Sequence, residues 1–473
     1  MNSPYLIPKI FLVRTLILGL FSILFLGSLY FSLERVLYSD SSFILFRIIN
    51  LGSLQPQEYR YGSFITQGFP LIASKLHLPI NWIILIYSAS FNLFYLIVAA
   101  ILVLKLKEYA LAILMSFYFS LFVSDSYYWM NNEVHQGMAW MFLLFGVTIF
   151  FFKKNTALFL SLPIFSILAF LSIYTHPLVI FPAIFLWVFL LLHDKKLQKR
   201  SALIFSLVLF LLCLSKFFLS SKTGHYDSDK LHALTHSSLK DLSHSLSSPF
   251  VKKFFKHCVS DYWFTPVLFF WGMYSAIKLK KYKEIFLTAA FVFAYFTALA
   301  ITYDDFLPFY SESELMPATI ILTAAFVYFS LPALKPKAAI LILSTILLTR
   351  LFYIGLSSEK FVERKKWLFA TLKTMREKNI QKGFIYRQEM KQKEFLSYWA
   401  TPQESIIASA LSNDQPRLTF IVGDSSDISK RLPANNRQML DAFELWDFGS
   451  VNKNYFSFDT TTNYQHVIRA GLK

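Results

Sequence analysis

The chain has 473 residues, of which 55% are hydrophobic and only 16% are charged, a more apolar balance than that of soluble domains. Its formal net charge of +17 would suit nucleic-acid binding in a soluble protein. The lysines and arginines, however, lie mostly at alternate ends of long apolar blocks, and the loops around Asn131, His176 and Asp304 have none. This is the positive-inside pattern of membrane proteins, and it excludes nucleic acid as the partner.

The apolar blocks predict an all-α polytopic membrane protein. Residues 15–33, 82–104 and 157–192 contain no Asp, Glu, Lys or Arg. A bilayer core about 30 Å thick needs roughly 20 apolar residues per helix, and backbone groups in lipid must hydrogen-bond within that helix. We predict about eleven transmembrane helices by this criterion. They lie at residues 10–33, 82–104, 108–124, 137–152, 157–173, 177–193, 201–219, 262–277, 284–302, 315–333 and 338–356.

The charge pattern also predicts the orientation of the chain. It places the N-terminus in the cytoplasm, and an odd number of spans then places the C-terminus outside. Residues 1–356 form the transmembrane module, and residues 357–473 form an extracytoplasmic C-terminal domain. The lack of eukaryotic retention signals favours a bacterial inner membrane, with this domain in the periplasm.

Two long outer loops and the C-terminal domain carry elements outside the spans. In the first loop, residues 34–81, two amphipathic segments at 41–54 and 62–78 are predicted to lie as helices in the membrane interface. The second loop, residues 220–261, is rich in Ser, His and Lys.

The C-terminal domain has a soluble composition and alternates helix and strand signals, which predicts a small α/β fold. Residues 361–377 have helical periodicity, and residues 383–386 and 418–422 are typical of short strands. Thr401-Pro402-Gln403-Glu404 matches a capping box, with Pro402 as the first helical residue.

Asp40 follows the first predicted span and is the leading catalytic candidate. A carboxylate at the membrane surface, shielded from bulk water by an interfacial helix, could act as a general base toward a hydroxyl. Aspartate is also a favoured helix N-cap, and a helix is predicted from Ser41 onward. Position alone leaves both interpretations open.

Three arginines are candidates for binding phosphate, because guanidinium groups bind it bidentately and stay charged. Arg47 and Arg60 follow Asp40 in the first outer loop, whereas Arg350 lies inside the last predicted span. A charge within a span is costly and indicates function, although such side chains can also snorkel to the lipid headgroups.

Glu133, His135 and His176 are polar residues on the predicted outer surface that could contact a substrate. Glu133 and His135 could orient it or bind a metal, although a spacing of two is not a helical ligand spacing. The alternative for this pair is a polar loop beside an aromatic belt. His176 precedes Pro177 and could equally be a turn residue.

Glu312 belongs to an acidic cluster that also contains Asp304, Asp305 and Glu314. Paired acids could hold a divalent cation, or they could belong to a solvated loop without a ligand. The sequence carries no dinucleotide or phosphate-loop fingerprint, so we expect no bound cofactor and no resident metal beyond this open option.

The layout resembles the GT-C superfamily of integral-membrane glycosyltransferases over the whole chain. An acid follows the first span, a long outer loop carries interfacial helices, and an outer domain closes the chain. Tyr310 to Pro317, YSESELMP, is similar to the Tyr-x-x-x-x-Leu-x-Pro-like element that family members often carry before a late span. Asp40 lacks the adjacent second acid of many members, so the resemblance does not extend to metal dependence.

The resemblance implies inverting transfer of a hexose or pentose from a polyprenyl-phosphate donor to a lipid, glycan or protein acceptor. Membrane lipids would surround the site on the periplasmic face. Asp40 would accept the proton of the acceptor hydroxyl. Arg47, Arg60 and Arg350 would stabilise the departing lipid phosphate.

Two other classes of function remain as alternatives. A lipid-linked glycan polymerase or ligase predicts paired arginines in a large central outer loop, and the loop at residues 220–261 contains no arginine. A transporter or flippase predicts polar groups near the bilayer midplane, whereas the predicted spans are poor in polar residues.

Overall fold

The computed structural model of the chain is mostly helical, with a small sheet region near the C-terminus. It describes residues 6–130, 133–198, 200–222, 226–236, 247–303, 306, 308–390, 397–412, 416–432, 437–441, 443–457 and 462–467. Within these ranges, six helices are long and apolar enough to cross a bilayer. They comprise Phe11–Tyr30, Ile80–Leu106, Glu133–Lys154, Arg200–Ser221, Tyr282–Thr302 and Pro336–Glu377.

The other five predicted spans overlap helices that are shorter or bent. Two of these, Pro308–Leu315 and Ala318–Ala333, meet at an angle of 50° and together form a broken apolar helix. Each predicted span therefore overlaps a helix, but among the described residues only six helices have the length and composition of a complete span, or seven if the bent pair is one span.

The helices, in chain order, are α1 (Leu6–Tyr30), α2 (Ser32–Val36), α3 (Asp40–Leu51), α4 (Phe64–Lys75), α5 (Ile80–Ala100), α6 (Tyr109–Tyr118), α7 (Glu133–Lys154), α8 (Leu158–Ile173), α9 (Ile180–His193), α10 (Arg200–Ser221), α11 (Tyr226–His236), α12 (Pro249–Ser260), α13 (Phe264–Lys278), α14 (Tyr282–Thr302), α15 (Pro308–Leu315), α16 (Ala318–Ala325), α17 (Pro336–Glu377), α18 (Thr401–Ser409) and α19 (Ser425–Arg431). The strands are β1 (Lys382–Tyr386), β2 (Thr419–Gly423), β3 (Gln438–Leu440), β4 (Leu445–Asp447) and β5 (Gln465–His466).

Helix α3 is buried within the protein. Phe46 has no exposed surface and packs against the rings of Trp446 and Phe456 in the C-terminal domain. Phe43 packs in the same way against Trp399 and Phe443. Protein covers the apolar face of α3, where the sequence predicted lipid.

Helix α4 has the opposite arrangement. Its buried side includes Thr66, Gln67 and Ser74, whereas Phe69, Ile72 and Leu76 are 42%, 60% and 66% exposed. Polar side chains inward and apolar side chains outward are the arrangement that a helix in the membrane interface requires, and the interfacial position of α4 stays a prediction.

Helix α17 joins the apolar helices to the C-terminal domain without a break. Its 42 residues make it about 63 Å long at 1.5 Å per residue, twice the thickness of a bilayer core. The boundary predicted at residues 356 and 357 falls inside this helix. Its second half packs Phe361, Trp367 and Leu368 into the core of the protein.

The C-terminal domain contains a three-stranded sheet and a two-stranded hairpin. Strands β1 and β2 coincide with the predicted strands and pair in parallel, with Phe384 opposite Ile421, and β5 pairs in parallel with the other edge of β1. Strands β3 and β4 form an antiparallel pair.

The capping box predicted at residues 401–404 is wrong. The N-cap of α18 is Ala400, and no side chain caps this helix terminus. Thr401 donates to the carbonyl of Tyr398 instead. The Glu404 carboxylate is fully buried and bonds to partners in other elements, so a tertiary contact has replaced the local one.

Candidate functional site

A cavity of about 570 Å³ lies beside the start of α3, and we call it the Asp40 cavity. Its lining comes from α3, the 57–60 segment, Trp129, the start of α7, His176, α15 and the C-terminal domain. The aromatic lining residues are Phe43, Trp129, Phe309, Tyr310, Trp399 and Phe443, and the acidic ones are Asp40, Glu58, Glu133 and Glu314. Aromatic faces beside hydrogen-bonding carboxylates can bind a polar organic ligand such as a sugar.

Asp40 is half-buried and is the first residue of α3. The indole Nε1 of Trp129 donates to its Oδ2 at 2.6 Å, and the Ser39 hydroxyl donates to the same oxygen at 3.2 Å. The N-cap position belongs to Ser39, so the alternative that Asp40 caps the helix is wrong. Burial raises the pKa of Asp40 to about 6, although the hydrogen bond from Trp129 opposes this shift.

The C-terminal domain holds the turn that carries Asp40. Ser39 has a φ of +49°, in the left-handed region that non-glycine residues seldom occupy. Its N–H donates to Oε1 of Glu404 at 2.7 Å, and its hydroxyl lies 3.1 Å from that of Ser397. Arg364 of α17 forms an ion pair with the other oxygen of Glu404. These contacts fix a backbone conformation that is unfavourable in isolation.

Helix α17 also holds the loop that carries Trp129. Lys360 forms an ion pair with Asp125 in this loop. Five residues further along the helix, Lys365 pairs with Glu34 in α2. Both hydrogen-bonding neighbours of Asp40, Ser39 and Trp129, are therefore positioned from α17.

Arg60 lies in the cavity wall and is paired with two carboxylates. Its Nη1 lies 2.8 Å from Glu133, and its Nη2 lies 2.7 Å from Asp227. Burial opposes the charge on Arg60, but the two carboxylates outweigh it and raise the pKa of Arg60 above its ordinary value. The positive charge of Arg60 is thus more than neutralised by the carboxylates of Glu133 and Asp227.

His176 reaches the cavity because the neighbouring backbones approach closely. A Cβ on Gly62 would lie 1.8 Å from the Thr175 hydroxyl and 2.3 Å from the Leu171 carbonyl, so only glycine fits there. His176 Nδ1 accepts from the Leu178 N–H at 3.2 Å. Burial lowers the pKa of His176 well below its usual range, so the ring is neutral at pH 7 with its proton on Nε2.

Arg47 and Arg350 do not line the Asp40 cavity. Arg47 bonds to Glu444 at 2.6 Å on the surface between α3 and the C-terminal domain. Arg350 is fully buried and donates to the carbonyls of Ser120, Val123 and Asp261 and to the hydroxyl of Ser124. Each guanidinium is engaged by protein groups, and Arg350 fastens α17 to the chain that leads to Trp129.

His135 and Glu312 are buried outside the cavity lining. The Tyr118 hydroxyl lies 2.8 Å from Nδ1 of His135. Glu312 accepts from the N–H groups of Ser124 and Ser126 at 2.8 Å each and from the Tyr262 hydroxyl at 2.7 Å. Glu312 thereby holds the 124–126 backbone of the segment that leads to Trp129, whereas His135 bonds to Tyr118 of α6, and neither side chain lines the cavity.

The predicted catalytic residue and the predicted substrate-binding residues therefore separate into two groups. Four of them line one cavity, although they are up to 136 positions apart in the chain: Asp40, Arg60, Glu133 and His176. Arg47, His135, Glu312 and Arg350 lie elsewhere. Sequence reasoning missed the cavity roles of Trp129 and Glu314 and the contacts of Asp227 and Glu404. Local interpretations had accounted for three of these residues: an aromatic belt for Trp129, an acidic cluster for Glu314 and a helix cap for Glu404.

No group of three or more His, Cys, Asp or Glu in the described ranges is arranged to hold a metal ion. Asp304 and Asp305, for which a divalent cation was an open option, lie outside the described residues. Comparison of the chain with protein-family models, curated proteins and solved structures found no match. The geometry of the Asp40 cavity therefore carries the functional argument alone.

Proposed function

We propose that this protein is a GT-C-like membrane glycosyltransferase that moves a sugar from a polyprenyl-phosphate donor to an acceptor hydroxyl. Asp40 accepts the proton of that hydroxyl while its oxygen forms a bond to the anomeric carbon of the sugar. The bond from that carbon to the phosphate oxygen breaks, and its electron pair leaves with the lipid phosphate. Because the new bond forms opposite the old one, the anomeric configuration inverts.

The observation that carries this proposal is the environment of Asp40. The carboxylate lines a large aromatic cavity, two donors hold one of its oxygens, and burial raises its pKa to about 6. At pH 7 it is ionised and is a stronger base than an ordinary aspartate. A general base needs both properties.

Of the three arginines predicted to bind the donor phosphate, only one lines the cavity. Arg60 lines the cavity, and it already interacts with Glu133 and Asp227. In the proposed reaction it assists the leaving group by shifting from one of these partners toward the phosphate. Phosphate is a good leaving group, so the base contributes more than additional charge stabilisation does.

The proposal retains eleven membrane crossings, a cytoplasmic N-terminus and a C-terminal domain in the periplasm of a bacterium. Six long apolar helices and five shorter or bent ones at the predicted positions support it. A cysteine at the exposed position of Glu363, in a chain with Cys213 and Cys258 replaced by Ala, should react with an impermeant maleimide in intact cells. Labelling only after permeabilisation would refute this orientation.

The central test is Asp40→Asn in full-length protein reconstituted in nanodiscs with a panel of polyprenyl-phosphate sugars. We expect transfer to fall about 10³-fold, within the range contributed by a positioned general base. Asp427→Asn makes the same chemical change at an exposed residue outside the cavity and should keep full activity. If Asp40→Asn transferred sugar at the wild-type rate, the mechanism would be refuted. If the wild-type protein transferred none of the sugars but moved the lipid across the membrane, the flippase alternative would be favoured.

A further inference from the structure

The lining of the Asp40 cavity contains more acidic than basic side chains. Four carboxylates line it, and Arg60 is its only lysine or arginine among the lining residues that the structure describes. Asp227 is not a lining residue, but its ion pair with Arg60 adds a fifth acidic side chain to this cluster. Lys216 and Lys230 also lie outside the lining, where they donate to the carbonyls of Glu58 and Thr302.

Glu314 is the acid that indicates a missing ligand group. It is 3% exposed and lines the cavity, and its Oε2 has no hydrogen-bond partner among the described residues. Oε2 of Glu58, another lining residue, also has no hydrogen-bond partner among the described residues. A buried carboxylate oxygen without a donor is costly, so a donor supplied by a ligand would recover that free energy on binding.

Aromatic rings face the same space. Trp129 contacts Phe309 and Tyr310 with ring centroids 5.2 Å apart in each case, on the α15 side of the cavity. Phe43, Trp399 and Phe443 form a second group. Aromatic faces and carboxylates both attract an organic ammonium group, which provides three donors and a positive charge.

We propose that the cavity binds a ligand with a primary ammonium group and that Glu314 accepts a hydrogen bond from this group. One part of this inference rests on the proposed function: the ammonium group belongs to a reactant, either the transferred sugar or the acceptor. An amino sugar would add a positive charge to a cavity that a phosphate alone enters at an electrostatic cost. Glu314 thereby selects the substrate, and Asp40 remains the base.

The experiment measures binding to full-length protein in nanodiscs with two matched pairs of probes. Farnesyl phosphate carrying glucosamine or glucose tests an ammonium on the donor, and free methyl glucosaminide or methyl glucoside tests one on the acceptor. We expect the amine of at least one pair to bind about tenfold more tightly than its neutral partner, as for a hydrogen bond to a charged group. Glu314→Gln should abolish this preference, whereas Glu363→Gln, an exposed acid outside the cavity, should leave it unchanged.

Equal binding of amine and neutral probes in both pairs would overturn the inference. A preference that EDTA abolishes and Mg²⁺ restores would also overturn it, because a metal ion would then supply the charge. A preference that persists in Glu314→Gln would refute the role of this residue. Binding is separable from turnover: a protein that prefers the amine but transfers no sugar would refute the proposed glycosyltransferase and leave the inference standing.

Discussion

Helices α3 and α4 come from one segment of the chain and have similar amphipathic patterns, but they meet different surroundings. The C-terminal domain covers the apolar residues of α3, including Phe46, whereas Phe69 and Ile72 of α4 and its C-cap Leu76 stay exposed. Helix α3 begins with Asp40, and its burial is part of what encloses the cavity. An amphipathic pattern shows that a face must be covered, but it does not show by what.

The largest expected difference between the two helices is in stability. Phe46→Ala should lower the free energy of unfolding by about 3–5 kcal/mol, because it leaves a void between α3 and the C-terminal domain. The matched change on α4, Phe69→Ala, should cost less than about 1 kcal/mol, because its ring is not packed inside the protein. Thermal unfolding in detergent micelles, followed by tryptophan fluorescence, measures both. Equal losses would remove the distinction between the helices.

The contact between Glu404 and the start of α3 tests whether the C-terminal domain positions Asp40. Glu404→Gln should destabilise the protein by about 3 kcal/mol, because the buried Arg364 loses its carboxylate partner. It should also lower kcat with little change in KM, because the Ser39 turn loses a charge-assisted acceptor and Asp40 shifts. Glu444→Gln, at a more exposed ion pair between the same two regions, is the control. An unchanged kcat in Glu404→Gln would assign this contact to stability alone.

The burial that distinguishes α3 also predicts a pH dependence. Burial raises the pKa of Asp40 to about 6, so the carboxylate is mostly ionised at pH 7 and mostly protonated at pH 5. Because the base must be ionised, transfer should fall about tenfold between these pH values. The residual activity of Asp40→Asn should lack this step. If the wild-type rate were flat down to pH 5, Asp40 would not be the base.

The smallest expected effect concerns the surroundings of α4. Spin labels at Ile72 and Ile48, in a chain with Cys213 and Cys258 replaced by Ala, compare an exposed position on α4 with a buried one on α3. In nanodiscs, the label at Ile72 should collide with oxygen, which concentrates in lipid, more often than with a water-soluble nickel reagent. The label at Ile48 should be shielded from both. Preferential collision with nickel at Ile72 would place α4 in water.

Much of the architecture could be predicted from sequence, because hydrophobicity along a helix is a local property. Each of the eleven predicted spans overlaps a helix, six of these helices are long and apolar enough to cross a bilayer, and β1 and β2 lie at the predicted strands. Local pattern failed at Glu404, where a capping motif was outcompeted by Arg364 and Ser39. The two partners lie 40 and 365 positions away, and no spacing in the sequence connects them.

The candidate site divides in the same way. The sequence predicted Asp40 from its place after the first span, Arg60 as a phosphate-binding guanidinium, and Glu133 and His176 as polar residues on the outer surface. Tertiary structure decided that these four meet at one cavity and that Arg350 lies apart from it, bound to carbonyl groups. The physical reason is that desolvation and charge pairing depend on distances in space. The sequence determines which side chains are costly to bury, and only the fold decides which partners stabilise them.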